Sequence, residues 1–378
     1  MPDQVSPHTW LANQPEPAVK QTIERLCRAP DVAHVAVMPD VHLAAGVSNG
    51  LAVATERLIY PAAVGGDIGC GYSAVAFAGD ASPLQRRQAA EYVLQELPHA
   101  VPVIRHSRRN GLPELAGELD ANRLSHPELI AKALTVGREE LGTLGRGNHF
   151  LEFQSDEDGR IWVMVHSGSR AMGQHITAAH LKHAEKVGGG LSWLDADSEA
   201  GNAYLQDVAW ARSYAKESRR RMLEAAAGIV AEALGAQIDA STWINTDHNH
   251  VEREEIGRQT YWVHRKGANR VDDESPNIIP GSMATATYHV VGRGNPEALN
   301  SSSHGAGRKL SRSAARAKIK RKDLDRQLKD IWIDPNTAAK LTDESPSAYK
   351  DIEAVMRAQK DLVRITQKLR PVLCYKGA

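Results

Sequence analysis

Apolar and polar residues alternate along this chain in two rhythms, one helical and one extended. Residues 17 to 29 read as a helix closed by Pro30. Short or alternating apolar runs at His34–Met38, Leu51–Thr55 and Tyr72–Ala78 predict strands, separated by Gly, Asn and Pro signals. Ile161–Val165 and Thr260–Val263 predict two more. A long helix is expected over 203 to 234, with Leu205, Val208, Ala211, Ala215, Met222, Ala226 and Ile229 on one face. Within it, Arg219, Arg220 and Arg221 read as a solvated charge run. A further helix is expected from 350 to 369, stopped by Pro371. No fixed repeat, low-complexity tract or linker divides the chain. Because strands and helices interleave without regular βαβ spacing, the pattern predicts an α+β fold: one compact domain over residues 1 to 378, with mixed β-sheets surrounded by helices.

Composition narrows the class without naming a partner. Hydrophobic residues make up 42% and charged residues 24%, as in ordinary soluble globular proteins. Lys plus Arg equals Asp plus Glu, at 46 each, so any nucleic-acid surface has to be local. Cys27, Cys70 and Cys374 are far apart and odd in number, which argues for a reducing compartment over a disulfide framework. The start, Met1 to His8, has neither a basic segment nor an apolar run, and no stretch approaches a membrane span. The expectation is a cytoplasmic protein without membrane contact.

Chemistry concentrates in a few turns. In Val64-Gly65-Gly66-Asp67-Ile68-Gly69-Cys70-Gly71-Tyr72, a carboxylate precedes a thiol by three positions among four glycines, so both can aim at one point. His149, His166 and His248 each sit at an element end or in a loop of small polar residues. Asp67, Cys70, His149, His166 and His248 together form a mixed O, S and N set, suited to zinc or a transition metal and unlike an all-oxygen cage. A bridging thiolate would let the five hold two ions, as in phosphoryl chemistry. A turn holding a buried, inert thiol is the competing reading.

His304 stands apart. The Gly305-Ala306-Gly307 turn leaves backbone N–H groups open to a phosphate, and Ser301, Ser302 and Ser303 can donate hydrogen bonds to it. A neutral imidazole there can be a nucleophile towards phosphorus. The theme recurs in Ile279-Pro280-Gly281-Ser282-Met283 and in His264-Arg265-Lys266-Gly267, read as a cationic turn after a strand. From Arg308 to Lys322 there are eight Lys or Arg residues and no acid. If Ser311 caps a helix, Arg312, Arg316 and Lys320 share a face suited to a phosphate backbone. Arg105, Arg108 and Arg109 form a second patch. Phosphate loops with Gly-Lys-Ser/Thr, GxGxxG fingerprints and HExxH helices are absent, as is the Lys-x-Asp-Gly element of lysine-dependent nucleotidyl ligases.

These segments, in order, resemble the RtcB family of RNA-splicing and RNA-repair ligases. The matching stretches are Met38-Pro39-Asp40-Val41-His42, Val64 to Gly71, Gly147-Asn148-His149-Phe150-Leu151-Glu152, His166-Ser167-Gly168-Ser169-Arg170, His248-Asn249, His264 to Ala268, Pro280-Gly281-Ser282-Met283 and Ser302 to Arg308. The end, Tyr375-Lys376-Gly377, is similar as well.

The resemblance implies a GTP-driven, manganese-dependent ligase with two Mn2+ ions. It would join an RNA 3′-phosphate or 2′,3′-cyclic phosphate to a 5′-hydroxyl, in RNA repair or tRNA splicing. Asp67, Cys70, His149, His166 and His248 would be the metal ligands, with Cys70 between the ions. His304 would carry GMP. Asn148, His149, Phe150, Leu151, Glu152, His248, Asn249, Pro280, Gly281, Ser282, Met283, Thr287, His304, Gly305, Ala306, Gly307 and Lys376 would form the nucleotide site. An archease-type activator is a possible partner.

Departures from the family pattern are Tyr72 for a usual Met, Ser303 for Cys, Arg146 for a small residue and Ala171 for Gly. A Gly-Lys-Gly is missing from Leu43-Ala44-Ala45-Gly46-Val47. They bear on RNA choice more than on chemistry, and the chain resembles the release-factor-H-coupled branch, associated with repair of damaged RNA. Two rival expectations remain: a dinuclear metallophosphoesterase without a covalent histidine, and a non-catalytic RNA-binding repair factor.

Overall fold

Alternation at period two builds an eight-stranded sheet at the centre of the computed structural model, which describes residues 5–377. Part of the N-terminal stretch read above for a targeting signal, residues 1 to 4, lies outside the described residues. The strands run in the order Gln237–Asp247, Gly71–Asp80, Arg160–Ser167, Phe150–Ser155, Val363–Lys376, Thr287–Gly292 and Pro276–Pro280, and Trp332–Ile333 pairs in parallel with Val363–Lys376. Val75, Phe77, Leu151, Phe153, Val163 and Val165 point to one face. There they meet the helix Arg87–Ala100 and the long helix Glu199–Leu234, through Val93, Leu97, Met222, Leu223, Ala226 and Val230. Tyr72, Ala74, Ala76, Trp162 and Met164 point to the other face, against Ile278 and Leu369. Each large side chain buried in this way contributes about 1.5–3 kcal/mol.

A second sheet of five strands is ordered His8–Thr9, Val32–His42, Asn49–Thr55, Gln259–Lys266 and Asn249–Ile256. The chain passes from the first sheet to the second at His248, between Gln237–Asp247 and Asn249–Ile256. The α+β class, the first helix (Pro17–Cys27) and all five expected strands are observed. No helix among the described residues is long and apolar enough to cross a membrane.

Two expectations fail here. The helix expected from 350 to 369 ends at Ala358, and Val363–Lys376 is a strand. Ile352, Val355 and Met356 do bury one helical face, but the β-branched stretch beyond them pairs with Thr287–Gly292 and Phe150–Ser155. Pro371 does not stop an element; it sits inside this strand, beside a register shift that accommodates its missing N–H. The second failure is Arg219, which is 1% exposed, whereas Arg220 and Arg221 are solvated and paired with Glu217.

Strand register gathers the chemistry at one sheet end. Gly71 faces Ser167 on one side and Asp247 on the other, Tyr72 faces His166, and His166 faces Phe150. Cys70, His149, His166 and His248 therefore lie in adjacent rows. Packing at the turn is tight enough to require glycine. A Cβ on Gly71 would run into the backbone of Thr246 and Asp247, while Gly69, at φ +69°, rests against Arg212 and Ala215 of the long helix. Gly71→Ala is expected to destabilise the protein by about 1–3 kcal/mol through this overpacking. Urea unfolding measures it, and an unchanged midpoint would mean the strands have room to part.

Candidate metal centre and nucleotide cavity

The turn after the Pro61–Ala63 helical turn brings Asp67 and Cys70 to the sheet end, and the strand ends supply the histidines. The Cys70 Sγ lies 3.2 Å from His166 Nε2 and 3.6 Å from His149 Nε2. His149 Nε2 is 3.0 Å from Asp67 Oδ2, and His166 Nε2 is 3.4 Å from His248 Nε2. Two triads result, Asp67–Cys70–His149 and Cys70–His166–His248, each with its ligand atoms within 4.8 Å of one another. All five expected ligand residues are thus brought together, and Cys70 is common to both triads.

The donor chemistry fits a cation. His166 Nδ1 is 3.1 Å from the Asn148 carbonyl, so Nδ1 carries the proton and Nε2 turns its lone pair inward. That lone pair meets another imidazole nitrogen and a sulfur, a convergence of nitrogen and sulfur atoms able to ligate a positive ion. Burial, reinforced by neighbouring histidines, holds His166 and His248 well below the usual imidazole range, so both stay neutral. Burial raises the Cys70 thiol well above its usual value, with Asp67 adding to the rise. Burial acts to raise Asp67 too, but the facing His149 and its hydrogen bond hold the carboxyl below the usual range. A bound cation would supply the charge that turns the thiol into a thiolate.

His304 follows the buried strand Ser301–Ser303. Its Nδ1 lies 2.6 Å from Oδ2 of Asp40, a residue with no solvent exposure. The same oxygen accepts from the backbone N–H groups of His304 (3.1 Å) and Gly305 (3.3 Å). With a carboxylate beside Nδ1, Nε2 is the nitrogen left to react. The ring lies between His248 and His42, with centroids at 4.7 and 6.1 Å.

Two cavities meet at this histidine. The first, about 790 Å³, is lined by Asn148, Phe150, Glu152, Pro280, Gly281, Ser282, Met283, His304, Gly305, Ala306, Gly307 and Lys376, all expected nucleotide residues. The second, about 530 Å³, is lined by Asp67, Cys70, His248, Asn249, Lys266 and His304. Both volumes fall in the range of small-ligand sites. Three expected nucleotide residues line neither cavity, His149 being drawn into the triad with Asp67 and Cys70. Leu151 is fully buried in the core under the helices, because alternate strand positions face opposite ways and its neighbours Phe150 and Glu152 take the cavity side. Thr287 sits behind the wall, its hydroxyl accepting from Gln154, which also donates to Glu152 at 2.7 Å.

The cationic segments are mostly committed. Arg265 is no turn residue: it ends the strand Gln259–Lys266, fully buried against Glu254. Lys266 donates to the carbonyls of Ala45 and Val47, in the loop that lacks Gly-Lys-Gly. Ser301, Ser302 and Ser303 are buried, and Ser301 and Ser302 spend their hydroxyl protons on backbone carbonyls. Ser303 takes a hydrogen bond from Gln359. Ser311 does cap a helix, Arg312–Lys318, but it ends before Lys320, and Arg312 and Arg316 bind Asp343. Arg105 and Arg108 pair with Glu139.

Sequence reasoning missed the partner of these cations. Glu344 is buried in the first cavity's wall and accepts from Lys376 Nζ (2.7 Å), Tyr349 Oη (2.7 Å), Arg308 (3.2 Å) and Arg312 (2.5 Å). Burial acts to raise its carboxyl, but Lys376 and Arg312 bring it down to about 2 from the usual 4.5. A depressed value means stability that is present above pH 4.5 and lost as the pH falls towards about 2. Glu344→Gln is expected to remove about 3 kcal/mol at neutral pH. Denaturant unfolding should show the gap to the wild type closing as the medium is acidified below pH 4.5; a gap independent of pH would contradict the ionic account.

The family described as tRNA-splicing ligase RtcB matches residues 22–377. RNA-splicing ligase RtcB of Escherichia coli strain K12 is 36% identical, over 97% of this chain and 96% of its own. The RNA-splicing ligase RtcB of Mycobacterium tuberculosis strain H37Rv is 31% identical, over 90% and 96%. The tRNA-splicing ligase RtcB of Archaeoglobus fulgidus is 29% identical, over 90% and 87%.

Proposed function

The chain belongs to the RtcB family of tRNA-splicing ligases, and on that premise we propose that it is an RNA ligase driven by GTP through a covalent histidine. It joins RNA 3′-phosphate or 2′,3′-cyclic phosphate ends to 5′-hydroxyl ends. The observation that carries the reading is His304 on the wall common to both cavities, with Asp40 at Nδ1 and Nε2 uncommitted.

In this reading the first cavity takes GTP. Glu152 accepts from the guanine N–H donors, Lys376 stands at 5.0 Å over Phe150, and Ser282 and the Gly305–Gly307 turn line the same space. His304 Nε2 bonds to the α-phosphorus as the bond to the β-phosphate oxygen breaks and pyrophosphate leaves. Asp40 keeps the proton on Nδ1 and stabilises the positive charge that forms on the ring. A cyclic end is first opened by water to a 3′-phosphate. An oxygen of that phosphate then takes GMP from Nε2, giving an RNA–GMP diphosphate. The 5′-hydroxyl attacks the RNA phosphorus, its proton is lost, and GMP departs. Asp67, Cys70, His149, His166 and His248 would hold two Mn2+ ions, which when bound supply Lewis acidity to the phosphoryl oxygens.

With α-labelled GTP and manganese, label should reach the protein and be absent in His304→Ala. Asp40→Asn is expected to slow labelling about 100-fold while retaining the fold. No adduct with any divalent metal would sink the ligase mechanism and leave a phosphoesterase. A second test uses Glu152, whose carboxyl burial pushes up to about 8. Below that pH guanine has to displace a proton, so calorimetric GTP affinity should rise about tenfold per pH unit and level off above about 8. Glu152→Gln should flatten the slope. A wild-type affinity independent of pH would remove Glu152 from guanine recognition.

A further inference from the structure

Arg219 has no part in the chemistry above, yet it is one of two arginines with almost no exposure, at 1%, the other being Arg265 against Glu254. Among the described residues no carboxylate lies within ion-pair distance of its guanidinium, unlike Arg212 two turns earlier, which binds Asp247 at 2.6 Å. Its donors go to three other places. Nη1 donates to the carbonyls of Gly69 (2.7 Å) and Ser167 (2.9 Å), while Nε and Nη2 both reach Asn245 Oδ1, at 3.1 and 3.0 Å. Gly69 immediately precedes Cys70, Ser167 immediately follows His166, and Asn245 lies three residues before His248. One planar fork therefore ties together the three segments that carry the Cys70–His166–His248 triad.

We propose that Arg219 is a positioning residue for the metal centre, holding these three segments in the register that lets Cys70 belong to both triads. The inference rests on the metal reading above. Charge alone does not account for the placement. A buried cation behind a site for dications repels them and is itself costly to bury without an anion. Geometry accounts for it, because a rigid multi-donor head can satisfy two carbonyls and an amide oxygen on three separate segments, one turn and two strands. The long helix is the platform: Ala215 and the main chain of Arg212 leave too little room for a side chain at Gly69, and Arg219, one turn on from Ala215, grips the carbonyl of that same glycine.

The sign of the effect on metal binding separates the two accounts. Metal-free protein is titrated with Co2+, followed by calorimetry and by the thiolate-to-cobalt charge-transfer band. Arg219→Met is expected to weaken binding about 10–100-fold and to diminish the band, as loss of an outer support does. Arg219→Lys, which keeps the charge and loses the fork, should weaken it too. Tighter binding in Arg219→Met would show repulsion alone at work, and unchanged affinity and band would show a role in stability only; either overturns the proposal. Asn245→Ala removes one anchor and leaves the guanidinium, so it serves if Arg219→Met does not fold. It is expected to shift the band in the same direction, and no shift counts against the proposal. A wild type that takes up no Co2+ overturns the metal reading itself, along with this one.

Discussion

Backbone contact at the Gly69–Gly71 turn sets the geometry on which the candidate site depends. The turn is pressed between the long helix, which touches Gly69 through Arg212 and Ala215, and the strand Gln237–Asp247, whose main chain leaves no room for a Cβ on Gly71. Because side chains are excluded at both positions, the spacing is fixed by main-chain atoms. Those atoms also fix the rows of the sheet, placing Gly71 between Ser167 and Asp247. Four ligand-bearing segments converge as a consequence of strand pairing, and their side chains need only ordinary strand and turn directions to meet.

Electrostatics then sorts charges that balance over the whole chain into two unlike neighbourhoods. Around Cys70, carboxylate, thiol and neutral imidazoles gather, with buried Arg219 contacting backbone carbonyls and an amide. In the first cavity, Lys376, Arg308 and Arg312 converge on Glu344. Gathering three cations, one buried and two half-buried, is tolerable there because one carboxylate holds them all, and holding them also orients them. On the proposed reading, a nucleotide entering this space would meet cations already in place, so less ordering would have to accompany binding.

Much of this was legible along the chain, and the failures share a cause. Asp67, Cys70 and the histidines stood out because glycine-rich turns and strand ends are where ligands can converge, and the structure brings all five together. Arg219 was misread because three consecutive arginines look solvated, although it lies four residues after Ala215 and three before Met222, on the buried stripe itself. The stripe was the better guide. Glu344 carried no motif, since its role comes from partners 5 to 36 residues away in sequence that only folding assembles. The strand Val363–Lys376 was read as helix because its partners, Thr287–Gly292 and Phe150–Ser155, are remote, and pairing with them overrode local preference. Leu151 was carried along with a motif whose alternate residues face opposite sides of the sheet.

The two cavities share Asn49, Asn148 and His304, and of these only the histidine can carry a group covalently. The carrier role proposed for His304 requires a ring that stays in place while its bonding partner changes. Asp40 stands behind that ring: one oxygen lies 2.6 Å from Nδ1 and accepts from the amides of residues 304 and 305, so side chain and loop converge on the same atom. Asp40 belongs to the strand Val32–His42, and a Cβ on Gly307 would collide with the main chain of Asp40. The second sheet thus supplies the fixed point for His304, the proposed nucleophile, while the strand ends of the first help to gather the Asp67, Cys70 and histidine cluster. Relative placement of the two sheets determines whether His304 stands within reach of both chambers, and the chain crosses between them at His248, itself a member of the cluster.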